Sequence, residues 1–281
     1  MTAQPAPLTT HAEPVMGTVF SFTAVHGDLP ADAVRAALAA ACRVLHHCDA
    51  LFSTWDPASP VSRFRRGEAA LGQMPPEFAE VLRECRAAKE ASGGWFDPWA
   101  MPGGFDPTGL VKGWAIERAL EELRRAGLSG ALINGGGDVA VFGSPAGGHR
   151  WRVGIRHPWR ADALACVIEV GQGPVTEERG LEPAGGSGES PPRAGIAAVA
   201  TSGPYERGAH LIDPATGRAA SRAASATVTG PGLALADALA TGVAVGGDEA
   251  LPAVAGLDGY AAYLIRPDGS ETDTGGIAFA P

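Results

Sequence analysis

The sequence predicts an α+β fold, a single large domain in which mixed or antiparallel sheets are flanked by helices. Two observations favour this class over a doubly wound parallel sheet. Helical and strand-like segments are interspersed without a regular βαβ rhythm, and no G-x-G-x-x-G or Walker A loop follows a predicted strand. The length of 281 residues fits one large domain or two small ones and is ample for a buried core.

The first part of the chain predicts a tail, a strand and three helices. Residues 1–13 are expected to be a flexible tail, and residues 15–25 alternate in polarity as a strand does. Apolar residues at helical spacing predict a helix over residues 31–51. Two further helices are predicted over residues 76–92, where a pair of glycines ends the pattern, and over residues 111–126.

The second part of the chain is mostly strand-like. Strands are predicted over residues 131–133, 139–142, 151–155, 164–170, 194–200, 223–228, 260–265 and 276–279. An alanine-rich helix is predicted over residues 233–245. Residues 178–193 are rich in Gly, Pro, Ser and Glu, and we expect a mobile insertion because this segment buries too little apolar surface to order itself. The domain itself is expected to span residues 14–281.

Composition excludes several classes of partner. The formal net charge of −9 argues against non-specific binding to nucleic acid or to an anionic membrane surface. No apolar run approaches the ~20 residues that span a bilayer, and the N-terminus does not read as a secretory signal. None of the four cysteines forms a C-x-x-C pair, so free thiols are expected. We therefore expect a cytoplasmic protein, or an extracytoplasmic one if the sequence is a trimmed form.

The segment TSGPYERGAHLIDPATG at residues 201–217 is the most informative motif. Thr201, Ser202 and Gly203 can present hydroxyl and backbone N–H groups to an anion. His210 lies in an apolar run that suggests a half-buried strand. A β-hairpin with a hydrogen-bonded histidine explains the segment equally well. Nothing marks Ser202 as the nucleophile of a serine hydrolase, since no nucleophile elbow surrounds it.

Asp237 and Thr241 lie four residues apart in the alanine-rich helix, so their side chains share one face. A carboxylate and a hydroxyl among small residues form a suitable oxygen site for Mg²⁺. The alternative is that Asp237 offsets the helix dipole and Thr241 bonds to the carbonyl one turn earlier.

Two glycine-containing loops and an aromatic loop also suggest ligand contacts. The segment from Asn134 to Asp138 has the sequence NGGGD, and its glycines would let the backbone approach a ligand closely. The same sequence is also typical of a hairpin turn without a ligand. Asp106 and Lys112 flank a predicted helix start, a position that can bind an anion. The alternative is an ordinary helix cap with a solvent-exposed lysine. The Trp55 side chain can stack on a flat ring of a ligand, or it can simply pack against neighbouring side chains at the protein surface.

In this order the motifs resemble the FAD:protein FMN transferases, the ApbE-like flavin transferases. The matching stretches are MGT at 16–18, STWDPASPVSRF at 53–64, FDPTGLVKGWAIERA at 105–119, INGGGDV at 133–139, TSGPYERGAHLIDPATG at 201–217 and ADALATG at 236–242. The resemblance implies an α+β fold with an FAD groove between lobes. It implies Mg²⁺-dependent transfer of the FMN moiety of FAD, through a phosphoester bond, to a Thr or Ser hydroxyl of a target protein, with release of AMP.

The resemblance leaves two other functions open. Some members of the family instead hydrolyse FAD to FMN and AMP, and a flavin-binding protein without catalysis would need only part of the site. The expected partners are FAD and a target protein, with no nucleic acid and no membrane span.

The same resemblance implies roles for individual residues. Asp237, Thr241 and a backbone carbonyl near Gly109 would hold Mg²⁺. His210 would act near the reacting phosphate as general base or electrostatic stabiliser, and Asp237 and His210 are the two residues expected to be catalytic. The residues implied to contact FAD are Met16, Trp55, Asp106, Lys112, Glu117, Asn134, Gly136, Thr201, Ser202, Gly203 and His210.

This chain also departs from the family pattern. Glu117 stands where the family usually has Asp, and Trp114 replaces the usual tyrosine. Pro107 replaces an aliphatic residue in the loop, and the flexible insertion is not a family hallmark. The usual secretion signal or lipid-anchor cysteine is missing from the sequence as given.

Overall fold

The computed structural model describes residues 7–145, 149–171, 195–204, 211–220 and 222–281. The insertion predicted over residues 178–193 and the candidate residue His210 lie outside these described residues.

The described residues form strands and helices that alternate along the chain. The strands are β1 (Leu8–Val15), β2 (Thr18–Val25), β3 (Gly130–Gly135), β4 (Asp138–Gly143), β5 (Trp151–Arg156), β6 (Leu164–Val170), β7 (Ile196–Ser202), β8 (Ile212–Asp213), β9 (Arg218–Ala219), β10 (Ser225–Gly230), β11 (Ala261–Ile265) and β12 (Glu271–Asp273). The helices are α1 (Ala31–Phe52), α2 (Pro60–Arg65), α3 (Pro76–Ala91), α4 (Thr108–Arg125), α5 (Leu233–Gly246) and α6 (Leu251–Ala255), with 3₁₀ turns at Leu71–Gln73 and Gly247–Glu249. Within these ranges no helix is both long and apolar enough to cross a membrane.

An eight-stranded sheet in the order β1-β2-β3-β4-β7-β10-β11-β12 organises the fold. Every neighbouring pair in it is antiparallel. Helices α4 and α5 pack on one face of this sheet, and α1 and α3 pack against them. The β5–β6 hairpin contributes to a separate apolar cluster with residues of β4 and β7. The predicted α+β class with antiparallel sheets and flanking helices is confirmed.

Strand alternation in the sheet separates two apolar layers. Ala140 and Ala198 point into the large core that contains the helices, whereas Val139, Val141 and Val199 point into the cluster with the β5–β6 hairpin. Side chains of successive strand residues face opposite sides, so each strand contributes to both layers. These central strands are therefore buried on both faces.

A glycine lets α4 and α5 approach closely enough to form the site. A Cβ added at Gly113 would lie 2.5 Å from the backbone oxygen of Leu233 and 2.9 Å from the nitrogen of Ala234. Any larger residue at position 113 would push the start of α5 away from α4. The close contact therefore fixes the position of α5, and with it Asp237, relative to α4.

The prediction of a flexible tail over residues 1–13 is wrong from Leu8 onward. Leu8–Val15 forms β1 and pairs with β2 along its whole length, from Leu8 opposite Val25 to Val15 opposite Thr18. Met16 and Gly17 connect the two strands with φ of 53° and 71°, the positive values of a tight hairpin turn. β1 is mostly exposed, so its sequence carries no apolar periodicity, and its order comes from hydrogen bonds to β2.

Two other boundaries differ from the prediction. α4 begins at Thr108 rather than at residue 111, because Leu110 and Val111 already bond to the Pro107 carbonyl. The last strand of the sheet is β12, and the segment predicted over residues 276–279 contributes only a bridge between Phe279 and Ile168.

Candidate active site

A cavity of about 310 Å³ brings together segments that are far apart in the sequence. Its walls come from the loop after α1, the segment before α4, the first turns of α4, the end of β7, β8 and the middle of α5. The lining residues are Thr54, Trp55, Trp95, Phe96, Asp97, Pro98, Met101, Asp106, Thr108, Gly109, Lys112, Ser202, Leu211, Ile212, Asp237 and Thr241. Seven of the residues proposed from sequence therefore meet at one cavity: Trp55, Asp106, Gly109, Lys112, Ser202, Asp237 and Thr241.

Oxygen atoms of α5, α4 and β7 converge on one wall of the cavity. Asp237 is only 4% exposed, and its Oδ2 accepts a hydrogen bond from the Gly113 amide at 3.3 Å. Thr241 lies one turn further along α5, with its Oγ1 at 3.3 Å from the Ser202 hydroxyl. A Cβ added at Gly109 would lie 3.2 Å from that same Oγ1, so the backbone of Gly109 packs directly on Thr241. A carboxylate and two hydroxyls beside an α4 backbone turn fit the donor preference of a hard divalent cation.

The first turn of α4 forms another part of the cavity wall. Thr108 and Gly109 are its first two residues, and both line the cavity. The N–H groups at a helix start have no partner within the helix, and the helix dipole places partial positive charge there. Asp106 Oδ1 accepts a hydrogen bond from the Thr108 amide at 3.1 Å, and Oδ2 pairs with Arg65 at 3.4 Å. This end of α4 is suited to a phosphate group.

A buried ion pair positions the lysine on the wall. Lys112 Nζ lies 2.5 Å from Oδ2 of Asp138, whose side chain is only 1% exposed. The other carboxylate oxygen of Asp138 accepts a hydrogen bond from the Thr201 amide at 3.1 Å, and the Thr201 hydroxyl bonds to that of Thr227 at 3.0 Å. This network joins α4, β4, β7 and β10 beside the cavity. Sequence reasoning placed Asp138 only within a glycine loop and gave it no partner.

Trp55 and Gly203 lie beside the cavity in different settings. Trp55 is 92% exposed and lies at the mouth, where its ring can meet a ligand. Gly203 is buried and directly follows Ser202 at the end of β7.

Met16 and Gly136 lie in two neighbouring hairpin turns, Asn134 lies near the end of β3, and none of the three lines the cavity. The amide of Met16 donates to Asp49 Oδ2 at 3.3 Å, and Asn134 Oδ1 accepts from the Gly137 amide at 2.9 Å. Gly136 has φ of 68°, and a Cβ there would lie 3.0 Å from the Thr18 hydroxyl. Their contacts with FAD stay predictions.

Glu117 supports the start of α5. Its Oε1 accepts hydrogen bonds from the amides of Leu233 and Ala234, the first two residues of α5. A carboxylate at this position satisfies two amides that have no partner within the helix and interacts favourably with its dipole. Glu117 is not among the cavity-lining residues, so its contact with FAD stays a prediction.

Replacing Glu117 with Ala should lower the free energy of unfolding by about 1–2 kcal/mol, the usual cost of losing a helix cap. Thermal or urea denaturation measures this loss, and the KM for FAD measured on the same variant tests the predicted contact with FAD. A higher KM with unchanged stability would instead show that Glu117 contacts FAD.

One segment of the wall was missed by sequence reasoning. Trp95, Phe96, Asp97, Pro98 and Met101 follow the glycines that end α3 and line the cavity. The stretch lacks helical or strand periodicity, so no pattern marked it. Its signal is composition: two aromatic residues and an Asp-Pro pair directly precede the FDPTG motif.

Comparison with known proteins identifies the family. The ApbE family model matches residues 16–104 and 100–264, which is most of the chain. The chain belongs to the ApbE family. The resemblance seen in the sequence motifs is thereby confirmed.

Two curated relatives carry the same name. An FAD:protein FMN transferase of Rhodobacter capsulatus is 35% identical over 175 residues, covering 59% of this chain and 29% of that protein. Another, from Vibrio cholerae, is 32% identical over 159 residues, covering 53% of this chain and 41% of that protein. The chain thus spans less than half the length of these curated relatives.

Solved structures share the fold over almost the whole chain. The flavin transferase ApbE from Vibrio cholerae has a TM-score of 0.74 at 19% identity, covering 98% of each chain. The ApbE protein from Thermotoga maritima has a TM-score of 0.75 at 19% identity, covering 95% of this chain and 96% of its own. ApbE proteins of low sequence identity therefore have this same arrangement of helices and antiparallel sheet.

Proposed function

We propose that this ApbE-family protein is an FAD:protein FMN transferase. It would transfer the FMN moiety of FAD to a Thr or Ser hydroxyl of a target protein, through a phosphoester bond, and release AMP. The observation that carries the proposal is the meeting of Asp237, Thr241 and the first turn of α4 in one cavity. The curated relatives named as FAD:protein FMN transferases support the same activity.

The proposed cation site consists of Asp237, Thr241 and the Gly109 carbonyl. The carboxylate supplies the negative charge, the α5 spacing keeps it one turn from the hydroxyl, and Gly109 packs on that hydroxyl. Bound Mg²⁺ would neutralise phosphate charge and polarise the pyrophosphate. Because Asp237 is buried among alanines, its position is fixed by packing before any ligand arrives.

Phosphate oxygens would meet two further sources of positive potential. The first turn of α4 lines the cavity with the positive end of the helix dipole, and Lys112 places its ammonium group on the adjoining wall. Ser202, at the end of β7, supplies a hydroxyl on the same wall, 3.3 Å from that of Thr241. Positioning and charge neutralisation are the main requirements of phosphoryl transfer, and this wall provides both.

Aromatic side chains give the cavity an apolar side for a ring system. Trp95 and Phe96 line its inner part, and Trp55 lies exposed at the mouth. At about 310 Å³ the cavity is at the lower end of the range for small-molecule sites, so FAD would extend beyond it past Trp55.

The proposed reaction breaks one bond of the FAD pyrophosphate and forms another. The acceptor hydroxyl oxygen attacks the phosphorus on the flavin side, and the bond from that phosphorus to the bridging oxygen breaks, so AMP leaves with that oxygen. The hydroxyl proton passes to a general base, for which we propose His210. His210 lies outside the described residues and is the chain neighbour of Leu211, which lines the cavity.

The acceptor must share a compartment with this protein. All four cysteines are free thiols, three of them buried, which agrees with a reducing compartment such as the cytoplasm. We therefore propose a cytoplasmic target protein that presents its threonine or serine at the open mouth beside Trp55.

An AMP-release assay tests the function. The protein is incubated with FAD and Mg²⁺, with and without an acceptor protein that carries a flavinylatable threonine. EDTA-sensitive AMP release that requires the acceptor supports the transferase. AMP release at the same rate without acceptor would identify an FAD pyrophosphatase, and FAD binding without any AMP would identify a non-catalytic flavin-binding protein.

A further inference from the structure

Three metal-ligating side chains meet between β1 and α1, outside the cavity described above, and a fourth, His46, contacts one of them. The ligand atoms of His11, Glu13 and Cys42 all lie within 4.8 Å of one another. His11 Nε2 is 3.2 Å from one carboxylate oxygen of Glu13, and His46 Nε2 is 2.7 Å from the other. None of the four residues lines the proposed active-site cavity.

The spacing of these residues follows from their secondary structure. His11 and Glu13 are two apart on β1, so both side chains leave the same face of the strand. Cys42 and His46 are four apart on α1, so they lie one turn apart on one helix face. Helix α1 packs against β1, and the two pairs therefore face each other.

The geometry points to a zinc site formed by His11, Glu13, Cys42 and His46. Two imidazoles, one thiolate and one carboxylate are all accepted zinc ligands, and four of them complete a tetrahedral site. Bond lengths of about 2.0–2.3 Å place the ligand atoms of such a site roughly 3.3–3.8 Å apart. His11, Glu13 and Cys42 already lie within 4.8 Å of one another, and the exposed His46 ring, which contacts Glu13, would turn toward them to complete the set. The thiolate and the carboxylate together balance the charge of the ion.

The surroundings of the cluster agree with reversible binding at the surface. Cys42 is buried at the inner side, whereas His46 is 53% exposed and leaves an entry path. A cysteine ligand binds zinc as the thiolate, so zinc binding through Cys42 would release a proton.

The consequence of zinc binding would be a fixed N-terminal strand. β1 lies at the edge of the main sheet and pairs only with β2 among the described strands. A metal that joins β1 to α1 adds a second attachment, close to the turn that carries Met16. This site is independent of the proposed transferase activity, since its ligands and those of the proposed Mg²⁺ site share no residue.

Titration with Co²⁺ and Zn²⁺ in excess Mg²⁺ tests the site on the full chain. Co²⁺ bound through Cys42 should give a thiolate-to-cobalt charge-transfer absorption, and one zinc ion per chain should displace it. Cys42→Ser should abolish this absorption. His46→Gln, at an exposed position that tolerates substitution, should weaken zinc binding by more than about 100-fold, because loss of an outer-sphere partner alone costs 10–100-fold.

Two matched variants control for general effects. His47→Gln changes the neighbouring helix residue, which pairs with Glu77 rather than with Glu13. Cys166→Ser changes a half-buried thiol on β6. Both should bind metal as the unmodified protein does, and zinc should raise the Tm of these proteins but not that of His46→Gln. The proposal is wrong if no zinc binds at micromolar concentration, if bound cobalt shows no thiolate absorption, or if His46→Gln binds zinc as tightly as the unmodified protein.

Discussion

Replacing Asp237 with Asn is expected to lower Mg²⁺-dependent FAD turnover by about 10³-fold, equivalent to about 4 kcal/mol of transition-state stabilisation. The substitution keeps the shape of the side chain but removes the charge that would hold the cation at the proposed site. The fold should persist, since an amide oxygen can still accept the hydrogen bond that Gly113 donates. Measuring AMP release against Mg²⁺ concentration separates a lost cation site from a lower affinity for FAD.

A surface carboxylate provides the matched control for this variant. Asp248 lies in the 3₁₀ turn that follows α5, pairs with Arg266 at 2.5 Å and is not among the residues that line the cavity. Asp248→Asn should leave turnover unchanged. Undiminished turnover in Asp237→Asn, with a folded protein and the same Mg²⁺ dependence, would contradict the metal assignment.

Replacing His210 with Gln is expected to lower kcat by about 10²-fold or more, the usual contribution of a general base. The KM for FAD should change little if the imidazole acts on the acceptor proton rather than on FAD itself. The dependence of kcat on pH should also lose the acidic limb that an ionising histidine produces. Steady-state AMP release over a range of pH measures both effects.

His157→Gln is the corresponding control. His157 follows β5, and its Nδ1 accepts a hydrogen bond from the Trp159 amide at 3.2 Å, away from the cavity. This variant should keep the kcat and pH profile of the unmodified protein. If His210→Gln raised only the KM for FAD and kept kcat, His210 would bind substrate rather than take the proton.

The longer helices were predictable from sequence to within a few residues because most of their faces are amphipathic, whereas the short helices α2 and α6 were not predicted. α1 was predicted over residues 31–51 and α3 over residues 76–92, and the structure has Ala31–Phe52 and Pro76–Ala91. In both, buried residues recur at helical spacing, so the local pattern and the tertiary packing agree. The helix α5 was predicted correctly for a different reason, its alanine content, since it is buried on nearly all sides.

Elements whose order depends on distant partners were not predictable. β1 is exposed and polar, and only its pairing with β2 makes it a strand. The α4 start was predicted three residues too late, because Pro107 and Gly109 read as loop residues. In the structure Pro107 provides the first helical carbonyl, and Gly109 lacks the side chain that would collide with Thr241. Such contacts between distant residues cannot be inferred from the local sequence.

In the candidate site, too, local spacing predicts some residue positions, whereas contacts between distant segments determine others. Spacing alone places Asp237 and Thr241 on one face of α5, and the structure puts both on the cavity wall. The pairing of Lys112 with Asp138 joins residues on α4 and β4 and could not be read from spacing. The capping of α5 by Glu117 likewise joins two helices that are distant in sequence.

The most direct test of the proposed function is intact-protein mass spectrometry of the acceptor after incubation with this protein, FAD and Mg²⁺. A transferase should give a covalent adduct with the mass of FMN less one water on a threonine or serine, and this adduct should be absent with Asp237→Asn or with EDTA. Free FMN and AMP with an unmodified acceptor would contradict the transferase and indicate hydrolysis of FAD instead.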